Sequence, residues 1–349
     1  MSDAVIETRG LRKDFTVRVK AGRFRRPRRV VAAVDGVDLR VERGELLGYI
    51  GPNGAGKSTT LKMLTGILTP SGGQVRVCGL APVPQRTRLA RQVGVVFGQR
   101  SQLWWDLPLG ESFTLLRHIY RVPAAEHAAR LRRLRSMLEL DAFQDTPVRQ
   151  LSLGQRMRGE LTAALLHGPS VLFLDEPTIG LDVVSKQAVR SFLAELGARG
   201  DTTIVLTTHD LADIERLSRR LVVIDHGRVV HDGTIEALHA RYGSRRRMVV
   251  DLDAPLPDAG PVLPAGVTLE SASSDGLRLV FTLHEVGAGE LIARLAGAVA
   301  LRDVAVREPD IEEVVARLYT AGPASPDQGR PDQGCSITST TQEPGSSAS

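Results

Sequence analysis

Short, unbroken apolar runs punctuate this chain. Leu46-Leu47-Gly48-Tyr49-Ile50, Val93-Gly94-Val95-Val96-Phe97, Val171-Leu172-Phe173-Leu174 and Thr203 to Leu206 are brief and apolar throughout. Such runs predict strands buried in a sheet core. Helical spacing appears between them. Leu61, Leu64 and Leu68 recur along Thr60 to Leu68. Ser112 to about Gln150 is mainly helical, with Leu131, Leu134 and Leu138 on one stripe and arginines around the rest, and Leu151 to about Leu166 predicts a further helix. Ala4 to Thr8 and Leu11 to Val17 predict strand with a turn at Arg9-Gly10, and Val30 to Val41 resumes the strand pattern. Gln74 to Cys78 predicts a short strand after the turn Pro70-Ser71-Gly72-Gly73. Leu221 to Ile224 and Arg228 to His231 predict a hairpin around Asp225-His226-Gly227. Buried strands alternating with helices imply an α/β fold.

The pattern changes near Gly243, where Arg245-Arg246-Arg247 marks a junction. Met248 to Leu252, Val267 to Ser271, Leu277 to Leu283 and Ala300 to Val306 predict strands, and Glu290 to Leu295 and Asp310 to Tyr319 predict helices. Ile311, Val314, Val315 and Leu318 share one face of the last helix, with Asp310 as its N-cap and Glu313 completing a capping-box-like pair. Gly322 to Ser349 is rich in Pro, Gly, Ser and Gln, and it is expected to be disordered because it cannot bury enough apolar surface to fold. The expected organisation is one α/β unit over residues 1–242, a small α+β accessory domain over 243–320 and a tail over 321–349.

Composition narrows the function classes. The 349 residues suffice for two or three domains, and a net charge of +5 permits an anionic partner without demanding one. Arg18, Lys20, Arg23, Arg25, Arg26, Arg28 and Arg29 form a basic insertion with no acidic residue between Asp14 and Asp35. A solvated loop is the favoured reading, and contact with anionic lipid or a phosphate backbone is the alternative. Cys78 and Cys335 are far apart and form no metal-ligand spacing, which predicts a reduced, cytosolic protein without a disulfide framework. No apolar run approaches the length of a membrane span, and Met1 to Gly10 lacks the apolar core of a secretory signal.

The chemistry gathers at strand ends. The run Gly51-Pro52-Asn53-Gly54-Ala55-Gly56-Lys57-Ser58-Thr59 sits between a predicted strand and a predicted helix, which is the context of a phosphate-binding loop. Its glycines let backbone N–H groups turn inward around a phosphate, and the helix N-terminus adds to the attraction. Lys57 can reach the terminal phosphates, and the Ser58 hydroxyl can ligate Mg²⁺. Asp175 and Glu176 end an apolar strand, where ligands of open α/β sheets bind. Asp175 can hold Mg²⁺, and Glu176 can act as general base toward a water. His209 ends the next strand and can hydrogen-bond a γ-phosphate. Leu151-Ser152-Leu153-Gly154-Gln155 opens a helix whose N-terminus can be capped by Ser152 or grip an anion.

The ordered set (phosphate loop, Gln99, Leu151 to Gln155, Asp175-Glu176, Gly180-Leu181-Asp182, His209) closely resembles the ATP-binding cassette of ABC transporters over roughly residues 4–240. The stretch Phe97 to Pro108, with its Trp104-Trp105, looks like the ABC-2 type exporter branch, and Arg307 to Glu313 resembles the accessory domain that often follows such cassettes. The resemblance implies a P-loop NTPase cassette: a mixed sheet core plus a helical subdomain at about 100–165. It implies ATP and Mg²⁺ as cofactors, with Gly51 to Thr59 holding the phosphates and Ser58, Gln99 and Asp175 holding the metal. Glu176, His209, Gln99 and Lys57 would carry catalysis. Phe15 would stack on adenine. Ser152, Gly154 and Gln155 would complete the site of an opposing subunit, and Asp182 would lie at that interface.

The partners implied are a second copy of the chain, or a paralogous cassette, closing head to tail, together with an integral membrane permease. No nucleic acid is expected, and the implied location is the cytoplasmic face of the membrane, as a peripheral subunit. Position 153 is Leu where the commonest signature has Gly; the substitution is tolerable if the side chain points away from phosphate. Trp104-Trp105 is equally consistent with a permease contact and with core packing. A non-transport ABC ATPase acting on ribosomes or nucleic acid is the alternative function, supported only by the basic insertion. A P-loop small-molecule kinase and a purely regulatory module fit less of the motif set.

Overall fold

The structure is a computed structural model that describes residues 4–18, 28–98, 100–242, 245–255, 263–284, 287–307 and 311–321. Most of the basic insertion, Gln99, Asp310 and the 322–349 tail lie outside the described residues.

Two strands open the chain: β1 (Ala4–Arg18) pairs antiparallel with β2 (Arg28–Glu42). The expected turn at Arg9-Gly10 is instead an irregularity within one continuous strand. Gly10 takes φ 56 and donates its N–H to Asp38 Oδ1 at 2.5 Å, so the extra residue is absorbed as a bulge while β2 holds both halves. Next come β3 (Leu46–Ile50), α1 (Lys57–Leu64), β4 (Gly72–Val77), the single turn α2 (Arg86–Leu89) and β5 (Val93–Phe97). A helical stretch follows, with α3 (Leu109–Tyr120), α4 (Ala124–Met137) and α5 (Leu153–Leu165). The chain returns through β6 (Val171–Asp175), α6 (Val183–Arg199), β7 (Thr203–Thr207), α7 (Leu211–Leu217), β8 (Arg220–Asp225), β9 (Arg228–Thr234) and α8 (Ile235–Tyr242). The last stretch holds β10 (Arg245–Leu252), β11 (Val267–Ala272), β12 (Arg278–His284), α9 (Ala288–Ala298), β13 (Leu301–Arg307) and α10 (Ile311–Ala321).

The central sheet has the order β5-β6-β7-β3-β8-β9, parallel except for its last strand. Its strands β3, β5, β6 and β7 are apolar because both faces are covered. Alternate residues of one strand enter different cores: Leu172 and Leu174 join the helices α5 and α6, while Val171 and Phe173 join α1 and the three-stranded sheet β2-β1-β4. All four side chains are fully buried. Parallel order places the carboxyl ends of β3, β5, β6 and β7 along one edge, where the phosphate loop, Gly98, Asp175 and His209 emerge.

The sheet β11-β12-β10-β13 builds its own core from Met248, Val250, Phe281 and Leu283 under Leu291 and Leu295 of α9. The helix α10 does not join that core. Its Ile311, Val314, Val315 and Leu318 pack into the cluster holding Ile214, Ile235 and Leu238, and α10 lies against α7 and α8.

Candidate functional site

The loop after β3 is built for close approach. Gly56 has φ 109, and a Cβ there would stand 2.4 Å from Ala33 O, so only glycine lets β2 lie against the loop. The β8–β9 turn braces the loop from below: Gly227 N donates to Ala55 O at 2.9 Å, and Asp35 N donates to Gly227 O at 2.8 Å. Lys57 opens α1 and folds its ammonium inward, donating to Gly51 O at 2.6 Å and Pro52 O at 3.1 Å. Burial lowers its pKa, against the pull of the Glu176 and Asp175 carboxylates. No side chain caps α1, so its first N–H groups point into the loop as an anion cradle.

The acidic strand end faces this loop across the sheet. Asp175 Oδ1 accepts from Ser58 Oγ at 3.2 Å and from Thr207 Oγ1 at 2.6 Å. Thr207 stands opposite Asp175 in the β6–β7 register, so the neighbouring strand orients the carboxylate. Thr207 closes β7, and its part depends on which strand adjoins β6, which local patterning does not state. Glu176 sits at φ 56, a left-handed conformation costing a non-glycine residue roughly 1–2 kcal/mol. Its N–H donates to Thr207 O at 2.9 Å, which holds that geometry. The turn presents the Glu176 carboxylate to His209, with Oε2 3.6 Å from Nδ1, within ion-pair reach and beyond hydrogen-bond length.

A cleft of about 400 Å³ is lined by Ser58, Lys62, Phe97, Gly98, Asp175 and Glu176, among others. The size suits a small-molecule ligand. Its donor set also fits Mg²⁺. Among the described residues, no group of three or more His, Cys, Asp or Glu converges as an all-protein cage. One hydroxyl and one carboxylate beside a phosphate cradle is the arrangement in which Mg²⁺ takes its other ligands from phosphate and water. Gln99, the third expected metal residue, lies outside the described residues.

The remaining expected residues stand apart from the cleft. Phe15 is half-exposed on β1 opposite Val31, two residues along β2 from the Ala33 that touches Gly56, and Lys13 Nζ lies 5.3 Å from its ring centroid. Ser152 caps α5 in a complete capping box, with Gln155 N donating to Ser152 Oγ at 3.2 Å and Ser152 N to Gln155 Oε1 at 2.9 Å. Gly154 packs against α6: a Cβ there would fall 2.1 Å from Ser185 Oγ. Asp182 caps α6 by accepting from Ser185 N at 2.9 Å and Ser185 Oγ at 2.7 Å, bonds that hold its carboxyl below the usual carboxylate range. None of Leu151 to Gln155 lines the cleft. Leu153 leans toward Gly180, 3.2 Å from where a Cβ on that residue would stand. Trp104 and Trp105 are 36% and 52% exposed, which excludes core packing, and Arg156 stacks over Trp105 at 5.7 Å.

Known proteins resemble this chain. A family profile described as ABC transporter matches residues 34–179. The daunorubicin resistance ATP-binding protein DrrA3 of Streptomyces coeruleorubidus is 35% identical over 288 residues, covering 82% of this chain and 90% of that protein. The Nod factor export ATP-binding protein I of Paraburkholderia xenovorans (strain LB400) is 42% identical over 208 residues, covering 59% of this chain and 67% of that one. A solved dimeric ATP-binding cassette, in a post-hydrolysis state bound to ADP and Pi, superposes with a TM-score of 0.56 at 26% identity over 66% of this chain and 98% of its own.

Proposed function

The chain belongs to the ABC transporter family as an ATP-binding, ATP-hydrolysing subunit, and from that premise we propose that it powers a separate membrane permease by ATP-driven closure of two cassettes. One observation carries the reading. The cleft of a single chain gathers Ser58 of the phosphate loop, Asp175 and Glu176, while the helix N-terminus at Ser152–Gln155 stands outside it. Around that N-terminus, Leu153, Ile179, Val183 and Val184 are exposed, the last two at 82% and 79%. A second copy turned head to tail would lay this apolar rim, and the N–H groups of α5, over the phosphates of its partner. Asp182 would then lie at the junction as the cap that fixes α6.

Gly51 to Thr59 bind the phosphates, and Lys57 neutralises charge on the terminal ones. Ser58 and Asp175 would hold Mg²⁺, with Gln99 as the third residue; when bound, the ion would neutralise the negative charge on the phosphate oxygens that otherwise repels the attacking water. Glu176 takes the proton of the attacking water. His209 hydrogen-bonds the γ-phosphate and is kept in register by Glu176. Phe15 stacks on adenine. ATP drives closure only through its higher affinity for the closed pair. Among the described residues no helix is long and apolar enough to cross a membrane, in keeping with a peripheral subunit on the cytoplasmic face whose permease is another chain. The relatives named for Nod factor export and drug resistance support export. We further read residues 1–242 as the cassette and 243–320 as its accessory domain.

The test is affinity purification of the tagged protein from native membranes, with ATPase assay. The reading predicts a polytopic membrane protein in stoichiometric amount. Ribosomal proteins or nucleic acid with no membrane partner would overturn it in favour of the non-transport alternative.

A further inference from the structure

Glu176 and His209 stand on two loops whose strand ends are joined by the bond from Glu176 N–H to Thr207 O. A second connection joins the same loops below the cleft, and it runs through one side chain. Thr178, two residues after Glu176, is buried and donates from Oγ1 to Asp213 Oδ2 at 2.7 Å. Asp213 lies in α7 and is 1% exposed. Arg190, on α6, donates from Nε to Asp213 Oδ1 and from Nη2 to Asp210 Oδ2 at 3.1 Å. Asp210 follows His209 directly, and its N–H donates to Thr208 Oγ1 at 3.0 Å. Lys186, one helical turn before Arg190, adds a weaker contact to Asp210 at 3.4 Å.

We propose that Arg190 is a positioning residue for hydrolysis: its guanidinium fixes Asp210 and Asp213 on the segment after His209, and Asp213 in turn holds Thr178 of the loop bearing Glu176, a clamp that sets the separation of the two loops. The proposal rests on the assignment of Glu176 and His209 above. The geometry is what such a clamp requires. The planar fork of arginine serves two carboxylates at once in fixed directions, which an ammonium cannot. Asp213 is buried and therefore needs both of its partners. Asp213 holds Thr178, two residues after Glu176, and Arg190 holds Asp210, the residue after His209, so a shift of the Arg190–Asp213 pair passes to the 3.6 Å gap between Glu176 and His209. A displacement of about 1 Å in a reacting group can lower turnover on the order of a hundredfold. Neither Arg190 nor Asp213 lines the cleft, so nucleotide affinity has no reason to follow.

The experiment uses the full chain and measures kcat and KM for ATP hydrolysis, with thermal melting, in three variants. Arg190→Met combined with Asp213→Asn removes the guanidinium that orients residue 213 and ties it to Asp210, leaves no unpaired buried charge and retains an acceptor for Thr178. Expected is a 10- to 100-fold fall in kcat with KM within about twofold of wild type. Arg190→Lys, able to serve one carboxylate, should fall between. Glu176→Gln calibrates the premise. A double variant with wild-type kcat while Glu176→Gln is inactive overturns the clamp alone. Wild-type hydrolysis by Glu176→Gln overturns the assignment beneath it. A fall in kcat matched by an equal rise in KM and a lowered melting temperature would make Arg190 an ordinary helix staple and also overturn the proposal.

Discussion

Replacing Gly154 by alanine tests how α5 is seated against α6. The added Cβ would stand 2.1 Å from Ser185 Oγ and 2.6 Å from Ser185 Cβ. The hydroxyl can rotate away, at the cost of its 2.7 Å bond to Asp182. The Ser185 Cβ cannot, because it is fixed to the first turn of α6. Carbon atoms in contact sit about 3.5–4.0 Å apart, so one helix must retreat by about 1 Å. Overpacking of this kind costs about 1–3 kcal/mol, and loosening the Asp182 cap adds up to about 1 kcal/mol. At roughly 2–4 °C per kcal/mol for a unit of this size, the apparent melting temperature should fall by about 2–16 °C. Gly297→Ala serves as control, since it lies in α9 with nothing within 4 Å of the new Cβ, and it should be neutral or stabilising by up to about 1 kcal/mol. Thermal melting followed by circular dichroism reads both. Equal melting of the Gly154 variant and wild type would refute the close-packing argument.

Two further outcomes follow from buried groups. Burial beneath Tyr120, whose ring stacks at 4.1 Å, pushes His167 down to about 4 from an ordinary value near 6.5, so the folded chain keeps it neutral. Protons then favour the unfolded chain in that window: the contribution is complete above pH 6.5 and is lost as pH falls toward 4. Melting temperature should therefore drop between pH 7 and pH 5, and His167→Gln should flatten the drop; an unchanged slope would contradict it. Truncation after residue 310 removes Ile311, Val314, Val315 and Leu318 from the core, worth about 1.5–3 kcal/mol each as an upper bound. The truncated chain should melt more than 10 °C lower and bind an apolar dye, and wild-type melting would show that α10 contributes nothing to the cassette.

Much of this was readable from residues alone. The runs at Leu46, Val93, Val171 and Thr203 are strands because burial on both faces leaves no room for polar positions, and that pattern is local. The phosphate loop and Asp175-Glu176 were legible for the same reason: their chemistry lies in adjacent residues. The helix α6 was not recognised. Its buried residues Val189, Phe192, Leu193 and Leu196 follow helical spacing, but Val183 and Val184 are exposed and blur the start. Thr207, Arg190 and Asp213 were missed for a deeper reason. Each acts on a residue 20 or more positions away, through strand order and helix packing that no local window contains. The destination of α10 was hidden likewise: its apolar stripe is plain, but the partner that covers it is set by the tertiary fold.

The central claim is that two copies close around ATP and that Glu176 then drives hydrolysis. The most direct measurement is Glu176→Gln in Mg²⁺ and ATP, with turnover assayed and mass followed by sedimentation. The account predicts retained ATP binding, turnover lower by about 10²–10⁴-fold and accumulation of a dimer. Wild-type turnover, or a nucleotide-bound variant that stays monomeric, would contradict it.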